Sequence, residues 1–246
     1  MELKLEVNGL SYTAAYRDED VEGVFKPLVE SWTRLQAGRG GRLVVLLAAP
    51  PGTGKTTLAL FLAALAKQIP GAPRVQALGM DGFHYPNSYL ESHVIVEDGE
   101  TKPLKARKGA PFTFDVDALA AALADVRGGD PVPWPAYSRR LHDVVPAAVD
   151  ITGDILVVEG NYLLLDAPRW RELSHLADQT VFLSAPADML EERLVGRKVA
   201  GGMSKTQAQT WYETSDGRNV ELVLAAHVPA DVELELEPSG AIKRIR

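Results

Sequence analysis

The sequence predicts an α/β fold of three layers, a mostly parallel central sheet with helices on both faces. Two observations carry this. Short β-type runs, "LVVLL" (43–47), "VQALGM" (75–80), "ILVVE" (155–159) and "TVFLS" (180–184), alternate with helical stretches such as "LALFLAALAKQ", which Pro70-Gly71 stops. The runs are almost continuously apolar rather than alternating, the pattern of strands covered on both faces. At 246 residues and 46% hydrophobic content the chain has enough apolar surface for one domain.

Taken in order, residues 1–40 read as a hairpin and a helix. "KLEVNGLSYTA" carries an Asn-Gly turn at Asn8-Gly9, and "VELELEPSGAIKRI" near the C-terminus alternates around Pro-Ser-Gly, so antiparallel edge strands are expected at both ends. Residues 84–113 form an excursion too long for an ordinary strand-to-helix connection. Leaving a strand end, it is read as a substrate-binding loop. Residues 189–223 read as a basic helix, a Gly201-Gly202 break and a second helix, together a lid. The whole, 1–246, is expected to be a single domain.

Composition narrows the function. The net charge is -7 with no long cationic run, which speaks against broad electrostatic binding to nucleic acid or to an anionic membrane. No apolar stretch has the length of a signal-peptide core or a membrane span, so a cytoplasmic protein is expected. With no cysteine there is no disulfide, thiolate metal site or cysteine nucleophile.

"APPGTGKT" (Ala49 to Thr56) fits the phosphate-binding pattern G-x-x-x-x-G-K-[ST], with Ala49 at the first glycine position. A strand precedes it and a helix comes after. Gly52 and Gly54 allow consecutive backbone N–H groups to turn inward at a helix N-terminus, where free donors and the helix dipole favour an anion. Pro51, Gly52, Thr53, Gly54, Lys55, Thr56 and Thr57 are therefore the expected nucleotide-binding residues. Lys55 would reach the β- and γ-phosphates, and the Thr56 hydroxyl would ligate Mg²⁺. Ala49 is tolerable because glycine is required only where φ is positive.

In "MDGFHYPNSYLE" (80–91), Asp81 sits where a parallel strand ends, the edge at which open α/β sheets place ligands. It could accept the proton of an attacking hydroxyl, or it could simply form an Asp-Gly turn. Glu159, at the end of "DILVVEGNYLLL", stands where an acid holds Mg²⁺ or its waters, and Gly160 is read as room for a ligand near the backbone. "PVPWPAYSRRLHD" (131–143) would present Tyr137, Arg139, Arg140 and His142 on a proline-spaced segment. Arg193 and Arg197 share a helix face and could close over the γ-phosphate; pairing with Glu191 or Glu192 is the plainer alternative.

Together, "MDGFHYPNSYLE", "RKGAPFTFDVDAL", "WPAYSRRLHDVVP" and "ILVVEGNYLLL" resemble, in order and spacing, the P-loop kinases of the type I pantothenate kinase, uridine kinase and phosphoribulokinase group. The similarity is greatest to a pantothenate-kinase-like branch that includes provisionally assigned sugar kinases encoded with fructose transporters. The resemblance covers about residues 40–225. It implies the P-loop NTPase fold, ATP and Mg²⁺ as cofactors, and transfer of the γ-phosphate to a hydroxyl of a small metabolite: a sugar, sugar acid, nucleoside or pantothenate-like compound. It further implies Asp81 as catalytic base, Lys55 and Thr56 at the phosphates and metal, Glu159 near the metal, and Arg193 or Arg197 as the lid arginine. Asp81, His84, Lys108, Tyr137, Arg139 and His142 are then the substrate-facing residues. Dimers are common in the group, so a homodimer is an expectation. Pantothenate kinases of this type have His where this chain has Arg139, which argues against pantothenate. Arg139 with Lys105, Arg107 and Lys108 would suit an acceptor bearing a carboxylate or phosphate.

"APPGTGKTT" also resembles the loop of AAA+ ATPases, and a regulatory ATPase without a small-molecule acceptor is the alternative. Those proteins carry Asp-Glu where this chain has Glu159-Gly160, and they lack the Asp-Gly-Phe motif. A guanine-reading Asn-Lys-x-Asp motif is absent, against a GTPase.

Overall fold

The computed structural model of the chain describes residues 1–7, 10–97, 99–130 and 132–246. It begins with β1 (Glu2–Val7) and β2 (Leu10–Ala15), followed by α1 (Asp18–Asp20), which runs through a π turn at Val21–Phe25 into α2 (Lys26–Arg39). Next come β3 (Leu43–Ala48), α3 (Lys55–Ala66), β4 (Val75–Gly79), α4 (Asn87–Ser92), β5 (Val94–Glu97), β6 (Glu100–Pro103) and α5 (Val116–Gly128). The chain continues with β7 (Trp134–Ser138), β8 (Asp143–Val149), β9 (Ile155–Gly160) and β10 (Gln179–Ser184). It ends with α6 (Ala187–Ala200), α7 (Lys205–Trp211), α8 (Gly217–Ala225), β11 (Val232–Leu236) and β12 (Ile242–Arg244).

Six strands form the central sheet in the order β12-β11-β10-β3-β9-β4, parallel throughout except for β12. Successive residues of β3 point to opposite faces. Leu43, Val45 and Leu47 join the core under α2 and α3, whereas Val44, Leu46 and Ala48 join the one under α5. That double coverage is why the strand is apolar at every position, and all six of its residues are buried. On the first face Tyr16, Phe25 and Phe61 meet edge to face, with ring centroids 4.5–5.8 Å apart; fully burying each apolar ring contributes about 1.5–3 kcal/mol. On the second face Asp115 caps α5 by accepting a 3.0 Å hydrogen bond from the Ala118 N–H.

Parallel registration brings the C-terminal ends of β3, β9 and β4 to one edge: Ala48 lies beside Gly160, and Gly79 beside Glu159. At the opposite edge the nearly buried Asp178 carboxylate ties both helical layers to the sheet. It accepts from Arg39 of α2, from Arg127 of α5 at 2.9 Å, and from the Val44 N–H at 2.9 Å.

Four expectations change. The N-terminal strands are antiparallel as expected, but they form their own two-stranded sheet, laying Leu5 and Ala14 on the first core, and are not an edge of the central sheet. The Asn8-Gly9 turn lies outside the described residues. At the C-terminus only β12 is antiparallel, since β11 pairs parallel with β10. The excursion is not a bare loop: it folds α4 and the β5–β6 hairpin, and Glu97 accepts from both Arg107 and Arg218 of α8. The second half of the 189–223 stretch belongs to the fold proper, because α8 places Val220 in one core and Val223 in the other.

Candidate active site

Ala48 leads from β3 into a loop that ends at α3. Gly52 and Gly54 both have φ of +88°, the left-handed region where a side chain is strained, while Ala49 is fully buried outside that region. Alanine at the first glycine position therefore costs this loop nothing in backbone strain. Thr53 is buried with its hydroxyl turned back to the Pro50 carbonyl at 2.9 Å, and Pro51 and Thr57 are half-buried beside it. A Cβ on Gly52 would come within 3.1 Å of Leu194, so α6 packs directly on the loop. From α6, Arg193 reaches the carbonyls of Gly52 and Thr53 at 3.4 and 3.5 Å.

Lys55 and Thr56 open α3. The Thr56 hydroxyl donates to Oε1 of Glu159 at 2.8 Å. Burial pushes the Lys55 ammonium below its usual range, opposed by the charges of Glu159 and Asp81 and reinforced by those of Arg197 and Arg139. Burial likewise pushes Glu159 up, and the Asp81 charge adds to this, while Lys55 and the Thr56 hydroxyl pull the other way. The cluster therefore brings Lys55, Thr56, Asp81, Arg139, Glu159 and Arg197 to the edge where the parallel strands end.

Asp81 lies just beyond β4 in a single 3-10 turn, Met80–Phe83, and is exposed. The glycine after it is required by contact: a Cβ on Gly82 would fall 2.2 Å from the Pro135 carbonyl oxygen, so β7 lies against the turn. Thr56, Asp81, Tyr137, Arg139 and Glu159 all line one cleft of about 170 Å³. His84 hydrogen-bonds through Nδ1 to the Asp81 carbonyl at 2.8 Å and packs on Phe114, 3.7 Å between centroids, with Tyr137 at 5.5 Å. Lys108 lies 4.8 Å over the Tyr137 ring and donates to Asn87 and to the His142 carbonyl at 2.7 and 2.8 Å.

Several readings are corrected by these contacts. Gly160 makes no room for a ligand; Met80 fills that space, since a Cβ there would lie 2.2 Å from its sulfur. Of the four cations read as suiting an anionic acceptor, Lys105 and Arg107 are paired with Glu91 and Glu97, whereas Arg139 lines the cleft and Lys108 lies over the Tyr137 ring. His142 is exposed in the β7–β8 turn with φ of 51°, and it is its carbonyl that meets Lys108. Glu191 accepts from Gln209 rather than from a lid arginine. Asn161, just beyond β9, and Asp216 each have a buried side-chain oxygen without a partner among the described residues.

A phosphate loop on a parallel sheet, with a threonine–carboxylate pair and a second carboxylate across one cleft, defines a P-loop nucleotide-dependent enzyme. No family model matches the chain. It is 44% identical over 241 residues to the uncharacterized protein YggC of Escherichia coli (strain K12), covering 98% of each. It is 30% identical over 203 residues to a provisionally assigned uridine kinase of Schizosaccharomyces pombe (strain 972), covering 79% of this chain and 83% of that one. It is 29% identical over 194 residues to the pantothenate kinase of Lactiplantibacillus plantarum (strain WCFS1), of whose length the match covers 60% against 71% of this chain. Among solved structures, a provisionally assigned fructose transport system kinase from Silicibacter sp. TM1040 superposes with a TM-score of 0.71 at 31% identity, covering 83% of this chain and 98% of that one. The chain belongs to the P-loop kinase group. It is a phosphotransferase with a hydroxyl acceptor.

Proposed function

We propose that the protein transfers the γ-phosphate of ATP to a hydroxyl of a small, oxygen-rich metabolite that also carries an anionic group. The observation that carries this reading is the single cleft lined by Thr56, Glu159, Asp81, Tyr137 and Arg139. A purely mechanical or regulatory ATPase has no use for an exposed carboxylate facing a second, cationic wall.

The donor set fits Mg²⁺. Thr56 and Glu159 offer hard oxygen ligands side by side, and among the described residues no three His, Cys, Asp or Glu side chains form a cage. That is the arrangement of an ion that keeps its waters and is held mainly by phosphates. Bound Mg²⁺-ATP would supply the phosphoryl group and the charge neutralisation around it. Lys55 would hold the β- and γ-phosphates, and the backbone N–H groups of residues 52–56 would fix their position. Asp81 would accept the proton of the acceptor hydroxyl and point its oxygen at the γ-phosphorus. Arg193 already leans on the loop from α6, so it or Arg197 would neutralise charge as the group is transferred. Arg139 and Lys108 would hold a carboxylate or phosphate on the acceptor.

The test is ADP release with Mg²⁺-ATP against sugars, sugar acids, nucleosides, pantothenate and phosphorylated metabolites, beside Asp81→Asn. One acceptor should stimulate turnover and the variant should abolish it. Equal hydrolysis with every acceptor, unaffected by the substitution, would overturn the reading.

A further inference from the structure

Two segments far apart in the chain meet beside the cleft. The excursion of residues 84–113 leaves directly from the Asp81 turn, and its base is closed by the Tyr85 N–H donating to the Thr113 carbonyl at 2.9 Å. The β7–β8 hairpin carries Tyr137 and, in its turn, Arg139, both of which line the cleft. Asn87 comes from the outgoing limb of the excursion and Lys108 from the returning limb, and both end on that turn.

Asn87 is the centre of the junction. Its backbone N–H donates to Asp143 Oδ1 at 3.0 Å, its Nδ2 donates to the His142 carbonyl at 3.0 Å, and its Oδ1 accepts from Lys108 Nζ at 2.7 Å. Lys108 donates to the same His142 carbonyl at 2.8 Å while lying over the Tyr137 ring. The Asn87 amide can face only one way here, because an ammonium cannot accept and a carbonyl cannot donate. Asp143 Oδ1 also accepts at 2.9 Å from the N–H of Val144, the residue opposite Tyr137 in the hairpin register. His142 itself has φ of 51°, a left-handed backbone in a residue other than glycine. Such geometry persists where surrounding contacts over-determine it, and it clusters at ligand clamps. Here two donors from two limbs hold the carbonyl of that residue.

We propose that Asn87 and Asp143 are positioning residues for the phosphate acceptor: they latch both limbs of the excursion to the β7–β8 turn and so set Lys108, Tyr137 and Arg139 relative to Asp81. The inference rests on the kinase reading and deepens it with two residues that do not themselves line the cleft. The nucleotide side is built without the latch, since the phosphate loop leads into α3 and Glu159 ends β9. Loosening the latch therefore affects the two substrates unequally.

The full chain is assayed with Mg²⁺-ATP and whichever acceptor the panel of sugars, sugar acids, nucleosides, pantothenate and phosphorylated metabolites singles out. Wild type, Asn87→Ala, Asp143→Ala and Asp143→Asn are compared, with melting temperatures and acceptor-free ATP hydrolysis read beside them. The two alanine variants should raise the acceptor KM about tenfold or more through the lost hydrogen bonds. Their KM for ATP and their acceptor-free hydrolysis should stay within about twofold of wild type. Asp143→Asn should keep the acceptor KM within about threefold, because an amide oxygen accepts from the same two N–H groups. An acceptor KM unchanged in both alanine variants would overturn the proposal while the kinase stands. Equal rises in both KM values with a lower melting temperature would do the same, marking residues that only hold the fold. If Asn87→Ala does not fold, the two Asp143 variants decide alone, and equal impairment of the two overturns the latch. Absence of transfer to any hydroxyl would overturn the kinase reading, and this inference with it.

Discussion

The hydroxyl of Thr56 and the carboxylate of Glu159, 103 residues apart in the chain, meet at 2.8 Å and join the start of α3 to the end of β9. Neither side chain is needed to close the core, so the pair is expected to act in catalysis rather than in folding. Thr56→Val and Glu159→Gln should each lower kcat/KM by about 10²-fold or more with melting temperatures close to wild type. Because both would hold the same ion, the double variant should be far less damaged than the product of the two single effects. Additive losses would separate the two residues.

Two glycines of the site differ in what surrounds them. An alanine at Gly82 meets the Pro135 backbone, whereas one at Gly160 meets the Met80 side chain. Backbone cannot step aside, so Gly82→Ala should destabilise by about 2–3 kcal/mol and displace β7 with Tyr137 and Arg139. Gly160→Ala should cost less, and Met80→Ala in the same chain should restore part of the loss. Urea denaturation of the three variants beside wild type decides this, and equal costs at the two sites would refute it.

Burial holds His84 below the 6.5 of an unperturbed histidine, against the pull of Asp81 and with the help of Lys108. The unfolded chain therefore takes up a proton at higher pH than the folded one. This contribution to stability is complete above about pH 6.5 and declines as pH falls below it. The urea midpoint should drop between pH 7 and pH 5.5, and His84→Gln should shrink that drop. An unchanged pH slope in the variant would remove His84 as its source.

Glu97 draws the excursion to α8 by accepting from Arg107, which is nearly buried, and from Arg218 of that helix. Glu97→Gln should speed amide hydrogen exchange across 94–107, with Arg218→Ala giving a smaller effect because that arginine is exposed. If both leave exchange unchanged, the β5–β6 hairpin is held by other contacts.

The fold was legible because burial on both faces demands apolar strands, and β3, β9 and β10 show it plainly. The phosphate loop was legible because left-handed backbone demands glycine at Gly52 and Gly54 while leaving Ala49 free. What escaped was decided by partners distant in sequence. Lys105 and Arg107 look like free cations until Glu91 and Glu97 fold beside them, and Gly160 looks like ligand space until Met80 occupies it. The antiparallel pairing of the N-terminal strands was legible, but strand pattern says nothing about which sheet they join. Asn161 and Asp216 gave no signal beyond their letters, because a missing hydrogen bond is a property of packing.

Asp178 gathers α2, α5 and β3 at the edge of the sheet opposite the cleft. The three-way tie places a fold-holding polar contact at the far edge of the sheet from the cleft. The cleft, in turn, is built from turn and hairpin residues such as Asp81, Tyr137 and Arg139, whose replacement need not disturb that tie. Such a division of labour means that side chains of the cleft can be exchanged without loosening the contact that fastens both helical layers to the sheet, so variants there can be read for activity against an intact frame.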